Sequence, residues 1–323
     1  MPIRKCRTVY PLYLIWVMSR LANTALVFAV VFLGARPTLS QTQEPSSSRY
    51  PSTAAPYLEY PLPKLLKTVP ELQGLIPAET QEQLPALLAR IGDNIHDAVK
   101  KLPNLISHEE VTQTRVCPNS LSYGGCLDSE RRRGFNYLIL SHPSRDTGNL
   151  LAEYRTDLKN RPIDPLSEDA PKGSGFASLW VLFSPSNRSE SKFRYLGQQK
   201  LDKHRTAFVV AFAQQPDAVK FPSEILLRGR SVPVWYQGIA WVDESNFHIV
   251  RMRTDLLEPR ADIHLQRLTA EIQFGDVRIS QIPSVLLLPL EVVITLELDT
   301  EVSKEVHSYS NYRLYAVETR IVP

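Results

Sequence analysis

Histidine, cysteine and paired carboxylates supply most catalytic and metal sites, and in this chain they form no recognisable pattern. The seven histidines are spread one to a segment, and none stands at a known motif spacing from a cysteine or a carboxylate. His108 and Glu109 resemble the start of a zinc-protease helix motif, which needs a second histidine three residues after the glutamate. Thr112 occupies that position. We therefore expect no enzyme, no metal site and no cofactor, with histidines that converge only in space as the alternative.

A glycine-rich stretch, Gly173-Ser174-Gly175, has features of two functional loops and completes neither. A phosphate-binding loop continues into Lys-Ser or Lys-Thr, and a nucleophile elbow has the form Gly-x-Ser-x-Gly. Ser174 is instead predicted to cap a short apolar helix that ends before Pro185. A buried strand is the alternative, because a short apolar run has no diagnostic period.

The stretch from Ser231 to Leu256 carries the apolar and aromatic side chains with which a sheet is built. Two runs rich in Val, Ile, Trp and Tyr flank a polar turn, Asp243–Asn246, and predict a β-hairpin with arms of about ten residues. Side chains alternate between the two faces along a strand. One face of the first arm therefore carries Trp235, Gln237, Ile239 and Trp241. One face of the second arm carries Phe247, Ile249, Arg251 and Arg253.

The apolar period changes once along the chain. Residues 64–102 have helical spacing, with the best helix over 80–101 and Thr80 as its predicted N-cap. From Asn104 the period becomes two, which predicts an antiparallel sheet of about ten strands with one packed and one solvated face. An open sheet of that size must curl, close or be covered, and the helix is the expected cover. The predicted fold class is α+β, a large antiparallel sheet covered by N-terminal helices.

The first forty residues have the layout of a secretory signal peptide. Basic residues between Arg4 and Arg20 precede an apolar run, Leu21–Ala35, and cleavage is expected between Ser40 and Gln41. The run is shorter than the about 20 residues of a full span, which favours cleavage over an uncleaved membrane anchor. We therefore expect a periplasmic or secreted protein, in contact with a membrane only if the signal segment stays uncleaved.

Domain boundaries and charge follow from this assignment. Residues 41–63 are rich in Pro and Ser and predict a disordered linker. Residues 64–102 predict a helical segment packing on the sheet, and residues 103–323 predict the sheet domain. The signal segment holds five of the 37 basic residues and none of the 34 acidic ones, which leaves 32 basic against 34 acidic residues. This balance gives no basis for nucleic acid as a partner.

Two cysteines remain after cleavage, Cys117 and Cys126, at the ends of a polar loop. In an oxidising compartment such a pair is expected to form a disulfide. The chain-entropy model gives a ring of this size about 2.5–3 kcal/mol. Two free thiols are the alternative.

Several strand and turn residues resemble a known group of proteins. The matching positions are Tyr236-x-Gly238-x-Ala240-Trp241-Val242-Asp243, Ile249-Val250-Arg251-Met252-Arg253, Leu288-Pro289 and Tyr309-Ser310-x-Tyr312-Arg313. They resemble the half-barrel of bacterial lipoprotein carriers of the LolA and LolB type and the amino-terminal domain of the sigma-factor regulator RseB. The chain resembles even more closely a set of uncharacterised secreted proteins from soil bacteria, which we expect to be acidobacterial. The resemblance covers about residues 104–323.

The resemblance implies a curved half-barrel around helices, with an apolar cavity that accepts acyl chains. The chain departs from those carriers in its linker, its cysteine loop and its insertion at 158–175. The predicted apolar wall comprises Phe208, Phe212, Trp235, Ile239, Trp241, Ile272 and Phe274. Arg251 and Arg253 are predicted to steer an anionic head group. A lipid or a lipoprotein acyl chain is the partner that this site predicts.

Each of these assignments has an alternative. The apolar wall residues equally suit a closed core beneath the helix, in which case the partner is an envelope protein, as for an envelope-stress sensor. The two arginines equally suit cross-strand ion pairs on a wet face, which contribute about 0–1 kcal/mol each.

Overall fold

The computed structural model of this protein describes residues 56–116, 129–144, 148–164, 167, 170–171, 173, 175–220, 222–227, 230–298 and 301–316. The α-helices in these ranges are α1 (Pro56–Glu59), α2 (Leu62–Thr68) and α3 (Leu84–Lys101). The strands are β1 (Leu75–Pro77), β2 (Leu105–Val116), β3 (Ser129–Ser144), β4 (Gly148–Asp157), β5 (Ser191–Lys200), β6 (Thr206–Gln214), β7 (Ser223–Leu227), β8 (Arg230–Val234), β9 (Tyr236–Asp243), β10 (Ile249–Leu256), β11 (Leu265–Val277), β12 (Leu286–Leu298) and β13 (Val302–Leu314).

Eleven of these strands form one open antiparallel sheet in the order β1-β5-β6-β9-β10-β11-β12-β13-β2-β3-β4. Two meanders, β2–β4 and β5–β13, join where β13 pairs with β2 over a register from Val302↔Val116 to Leu314↔Leu105. Strands β7 and β8 leave the second meander as a separate hairpin. The predicted α+β class and antiparallel sheet are confirmed.

Helix α3 accounts for the half-barrel shape. It contacts both β4 and β5, which lie near opposite ends of the strand order. A flat sheet of eleven strands spaced about 4.8 Å apart would hold those strands tens of ångströms apart, so the sheet curves around the helix. Leu87, Leu88, Ile91 and Ile95 repeat at helical spacing and form its buried side. The helix is the predicted cover of the sheet.

The two faces of the sheet are covered by different elements. We call the face that α3 covers the inner face; it carries Phe212 and Ile272. The opposite, outer face carries Ile239 and Trp241 and is covered over β5, β6, β9 and β10 by residues 56–77, which we call the N-terminal strap. The prediction of one packed and one wet face is therefore wrong for these strands. Every residue of β9 after Tyr236 is buried because both of its faces are covered.

The strap also changes two expectations about the N-terminal region. Part of the predicted linker is helical, namely residues 56–59 and 62–63, and Tyr57 is buried on the outer face. Composition describes a segment by itself, whereas this one is ordered by the surface it meets. Helix α3 begins at Leu84, with Gln83 at the N-cap position, and Thr80 is not its cap. The signal segment, the linker up to residue 55 and the cysteine loop lie outside the described residues.

The central hairpin is present with shorter arms than predicted. Strands β9 and β10 have eight residues each. The first arm starts later than predicted because Arg230–Val234 pairs with β7 instead. A β-bulge between Ile249 and Arg251 shifts the alternation. Ile249 consequently packs on the inner face, whereas the sequence placed it on one face with Arg251.

Candidate functional site

The seven predicted wall residues do not form one wall. Four of them, Phe208, Phe212, Ile272 and Phe274, pack in the inner-face cluster. Ile239 and Trp241 pack on the outer face beneath the strap. Trp235 precedes β9, and its carbonyl accepts a hydrogen bond from the Leu257 amide at 2.8 Å. The sequence gives the alternation within each strand but not which face of one strand matches which face of the next.

The inner face of β5, β6 and β9 is an aromatic surface. Phe183 contacts Phe193 and Phe212, with ring centroids 5.1 and 5.6 Å apart. Phe208 lies between Tyr195 and Phe247, at 6.2 and 5.8 Å. These contacts give the surface the geometry that aromatic pairs prefer.

Small residues on β9 make room for these rings. A Cβ atom on Gly238 would stand 2.7 Å from the Phe212 ring and 2.1 Å from the Arg253 carbonyl oxygen. Ala240, two residues on, lies on the same face. The pattern Gly238-x-Ala240 that carries the family resemblance therefore serves the packing of an aromatic inner face.

The inner face is closed in this structure by α3 and by residues 176–183. Phe176 and Phe183 are buried in the same cluster as the helix. Gly92 of α3 lies against this segment so closely that a Cβ atom there would be 3.2 Å from the Pro185 ring. A cleft beside Gln113 and Arg131 has a volume of about 10 Å³, which is room for about one water molecule. The larger described cavity, about 450 Å³, lies on the strap between Leu66 and Leu75.

The two arginines predicted to steer a head group lie on the outer face in ion pairs. Arg253 bonds Asp255 at 2.9 Å and Glu71 of the strap at 2.6 Å. Arg251 bonds Glu271 at 3.1 Å, and its guanidinium lies 4.7 Å from the Trp241 ring centroid. In this structure Arg251 therefore pairs with the neighbouring strand, whereas Arg253 pairs along its own strand and fastens the strap.

Buried amides hold the strap as well. Gln199 donates to the carbonyls of Glu71 and Gln73 at 2.8 Å each and accepts from the Trp241 indole at 2.7 Å. Tyr57 donates to Asp255, and the acceptor charge together with burial raises the pKa of the phenol, burial being the larger cause. Hydrogen bonds from individual polar side chains therefore hold the strap on the outer face.

A buried ionic cluster, which the sequence did not predict, occupies the inner face over β13, β2, β3 and β4. His307 bonds Glu109 through Nδ1 at 2.8 Å and Glu305 through Nε2 at 3.2 Å. Arg155 donates twice to Glu109, at 2.5 and 2.8 Å. Glu109 and His307 have no exposed side-chain surface. Two carboxylates thus face two cations, the balance that a buried charge cluster requires.

The pKa values in the cluster follow from this pairing. Burial alone would raise the pKa of Glu109, but the charge of Arg155 and the bonds from His307 and Arg155 outweigh it and lower that pKa to about 2. Burial alone would lower the pKa of His307, but its bonds to Glu109 and Glu305 raise it. His307 therefore favours the imidazolium form, with both ring nitrogens donating.

The cluster also anchors the segment that closes the inner face. Arg155 donates to the Gly173 carbonyl at 2.8 Å. Glu153 accepts from the Gly175 amide at 2.9 Å and from the Ser178 hydroxyl at 3.1 Å, and Tyr137 donates to the same carboxylate. Burial raises the pKa of Glu153. These bonds attach Gly173, Gly175 and Ser178 to β4.

The cluster brings a histidine and two carboxylates together, but it is closed to solvent and so to a substrate. Both nitrogens of His307 are engaged by carboxylates, and Phe176 covers the ring at a centroid distance of 5.6 Å. In the part of the chain that the structure describes, no group of histidine, cysteine and carboxylates has the arrangement of a metal site. Among the helices of the same part, none has the length and apolar character to span a membrane.

Comparisons with known proteins show likeness in structure only. No protein-family model and no curated protein matches the chain. A domain of an outer membrane lipoprotein-sorting protein from Vibrio parahaemolyticus aligns with 70% of this chain and 91% of its own, at 11% identity and a TM-score of 0.35. A DUF1329 family protein from Desulfovibrio piger aligns with 73% and 94%, at 12% identity and a TM-score of 0.34. These values assign the chain to no family, and the resemblance to acidobacterial proteins stays a prediction.

Proposed function

We propose that this protein is a non-enzymatic binding protein of the cell envelope that takes up an apolar chain, such as a lipid or lipoprotein acyl chain, between α3 and the inner face. The observation that carries the proposal is the cover of the aromatic inner face. One amphipathic helix and one short segment close it, where a second sheet would close an ordinary β-sandwich core. A single helix is an element that can move without unfolding the sheet.

The free energy needed to expose the buried side of α3 is comparable to the free energy gained by burying an acyl chain. Exposing the four buried side chains Leu87, Leu88, Ile91 and Ile95 would cost about 6–12 kcal/mol, at about 1.5–3 kcal/mol each. A sixteen-carbon chain gains on the order of 10 kcal/mol from burial before the entropy of binding is subtracted. An acyl ligand therefore offsets a displacement of α3 that is partial rather than complete.

Few polar contacts restrain the helix on the side of the β9–β10 turn. Asn94 donates to the Asn246 carbonyl at 2.6 Å. The Arg90 guanidinium lies 3.9 Å from the Phe247 ring centroid. Joining α3 to this turn therefore immobilises the cover without altering the inner face.

The test is a reversible lock. The double variant Asn94→Cys, Asn246→Cys is joined by a short methanethiosulfonate cross-linker, which dithiothreitol removes. The cross-linked protein is expected to take up no fluorescent fatty acid and the reduced protein to take it up. The wild type and Asn94→Cys alone, treated with the same reagents, control for native cysteines. Equal uptake by the locked and reduced forms would place the ligand elsewhere and contradict the proposal.

A second candidate function is supported by the filled core. Phe183, Phe212 and Met252 have no exposed surface, and no ligand is needed to complete their packing. Such a domain would act by binding an envelope protein on its surface, as a sensor does. A wild-type protein that purifies without lipid and takes up no fatty acid would support this function in place of the first.

A further inference from the structure

One residue at the rim of the inner face has a backbone conformation that its side chain disfavours. Phe247, in the turn between β9 and β10, has a φ of 60°. Among residues other than glycine, the left-handed region is uncommon, and for a bulky side chain it is an outlier. Strain of this kind is kept where the surroundings impose it, often at ligand clamps and switch regions.

The turn itself imposes the conformation. The Phe247 amide donates to the Asp243 carbonyl at 2.8 Å. The Asp243 carboxylate accepts from the Ser245 amide at 2.8 Å, and the Asn246 side chain accepts from the His248 amide at 2.9 Å. These three bonds fix the backbone of Phe247 and so the point from which its ring projects.

The ring lies between the cover and the aromatic surface. On one side it stacks on Phe208, at 5.8 Å and an interplanar angle of 23°, and Phe208 in turn contacts Tyr195. On the other side, the ring packs against the guanidinium of Arg90, an exposed residue of α3. Phe247 and Phe208 are half-buried, whereas Tyr195 is buried. The three rings therefore lead from solvent into the inner face.

The other cover of the inner face is held by more polar contacts. Gly173, Gly175 and Ser178 are attached to β4 through the side chains of Arg155 and Glu153. At the Phe247 rim, one side-chain hydrogen bond and one cation–π contact join α3 to the turn. A cation–π contact at an exposed site is weak, and it breaks without leaving a buried charge unpaired.

We propose that Phe247 is the gate of the apolar site, and that an acyl chain enters between α3 and the β9–β10 turn when the Phe247 ring leaves Phe208 and Arg90. This inference rests on the function proposed above and adds the access route. The two ring contacts favour closing, and the hydrogen-bonded turn holds the backbone of Phe247 while the side chain rotates.

The test measures the rate at which the purified protein takes up a fluorescent sixteen-carbon fatty acid by stopped flow. Phe247→Gly removes the ring and accepts a positive φ without strain. It is expected to speed uptake about tenfold, the factor that corresponds to one lost aromatic stack with its cation–π partner. Arg90→Met keeps the apolar stem of the side chain and is expected to give a smaller acceleration of the same sign.

The control is Tyr60→Ala, which removes a ring that carries the ammonium of Lys64 at 3.5 Å on the strap. Its uptake rate is expected to equal that of the wild type. If Phe247 only stabilises the fold, Phe247→Gly changes the free energy of unfolding and leaves the uptake rate unchanged, which would overturn the gate and leave the binding function standing. Absence of uptake by the wild type would overturn both.

Discussion

At the scale of single residues, the buried ionic cluster is the feature with the largest energetic consequence. Removing one partner of a buried ion pair leaves a charge without compensation, which commonly costs about 3–5 kcal/mol. Glu109 is the centre of the cluster, because it binds both Arg155 and His307. Its loss therefore leaves two cations on the inner face with one carboxylate fewer.

We predict that Glu109→Gln lowers the free energy of unfolding by about 3–5 kcal/mol in urea denaturation near pH 7. The matched control is the next residue. Glu110 points to the outer face, where it pairs with the exposed Arg132 at 2.6 Å, and Glu110→Gln is expected to change little. Similar losses for the two variants would contradict the account of the cluster.

The raised pKa of His307 predicts a stability change in alkali. A histidine whose pKa is higher in the folded state than the unfolded value of about 6.5 binds its proton more tightly when folded. Its contribution is complete below the unfolded pKa and is lost as the pH rises through the folded pKa.

The measurement is urea unfolding of the wild type and His307→Gln from pH 5.5 to 9. The stability difference between the two is expected to shrink as the pH rises. His204→Gln, in the exposed β5–β6 turn, is the control and should follow the wild type throughout. A difference that is constant across the range would show that His307 contributes no proton-linked stability.

The sequence held a signal for this cluster that single-strand periodicity did not use. Ser303, Glu305 and His307 alternate along β13, all buried, in a strand where apolar residues would be expected inside. The other two members of the cluster, Glu109 and Arg155, lie on strands far away in sequence. The pairing of β13 with β2 brings Glu305 and His307 to Glu109, the pairing of β2, β3 and β4 brings Arg155 there, and no local pattern encodes either pairing.

At the scale of elements, α3 covers the inner face of the sheet and the strap covers part of the outer face. The sequence predicted that residues 64–102 pack on the sheet, whereas the first part of the strap, residues 56–63, was assigned to the disordered linker. The prediction did not distinguish the faces, because amphipathicity defines a buried side without naming its partner. Helix α3 was predictable because its pattern is long. The strap's two short helices depend on Gln199, Arg253 and the outer face for their position.

The strap offers a prediction with neighbouring residues as test and control. Leu65 of α2 is fully buried on the outer face, whereas the next residue, Leu66, is 36% exposed. We expect Leu65→Ala to lower the free energy of unfolding by about 2–5 kcal/mol and Leu66→Ala by about 0.5 kcal/mol or less. Thermal or urea unfolding monitored by tryptophan fluorescence reports both, since Trp241 lies beneath the strap. Equal effects would contradict the docking of the strap.

At the scale of the molecule, the meander and its hairpins follow from local alternation, and the closure of the sheet does not. Strands adjacent in sequence pair through most of the sheet. The pairing of β13 with β2 and the removal of β7 and β8 from the sheet join or separate segments that alternation alone treats alike. The half-barrel came from the resemblance to lipoprotein carriers rather than from periodicity.

The central claim is that the aromatic inner face under α3 is an apolar binding site. The most direct measurement is photolabelling with a fatty acid that carries a diazirine near its methyl end, followed by mapping of the labelled residues by mass spectrometry. We expect labels on α3 and on inward residues such as Phe208, Phe212 and Met252. Labels confined to the strap cavity between Leu66 and Leu75, or to outward residues such as Val209 and Ile239, would contradict the claim.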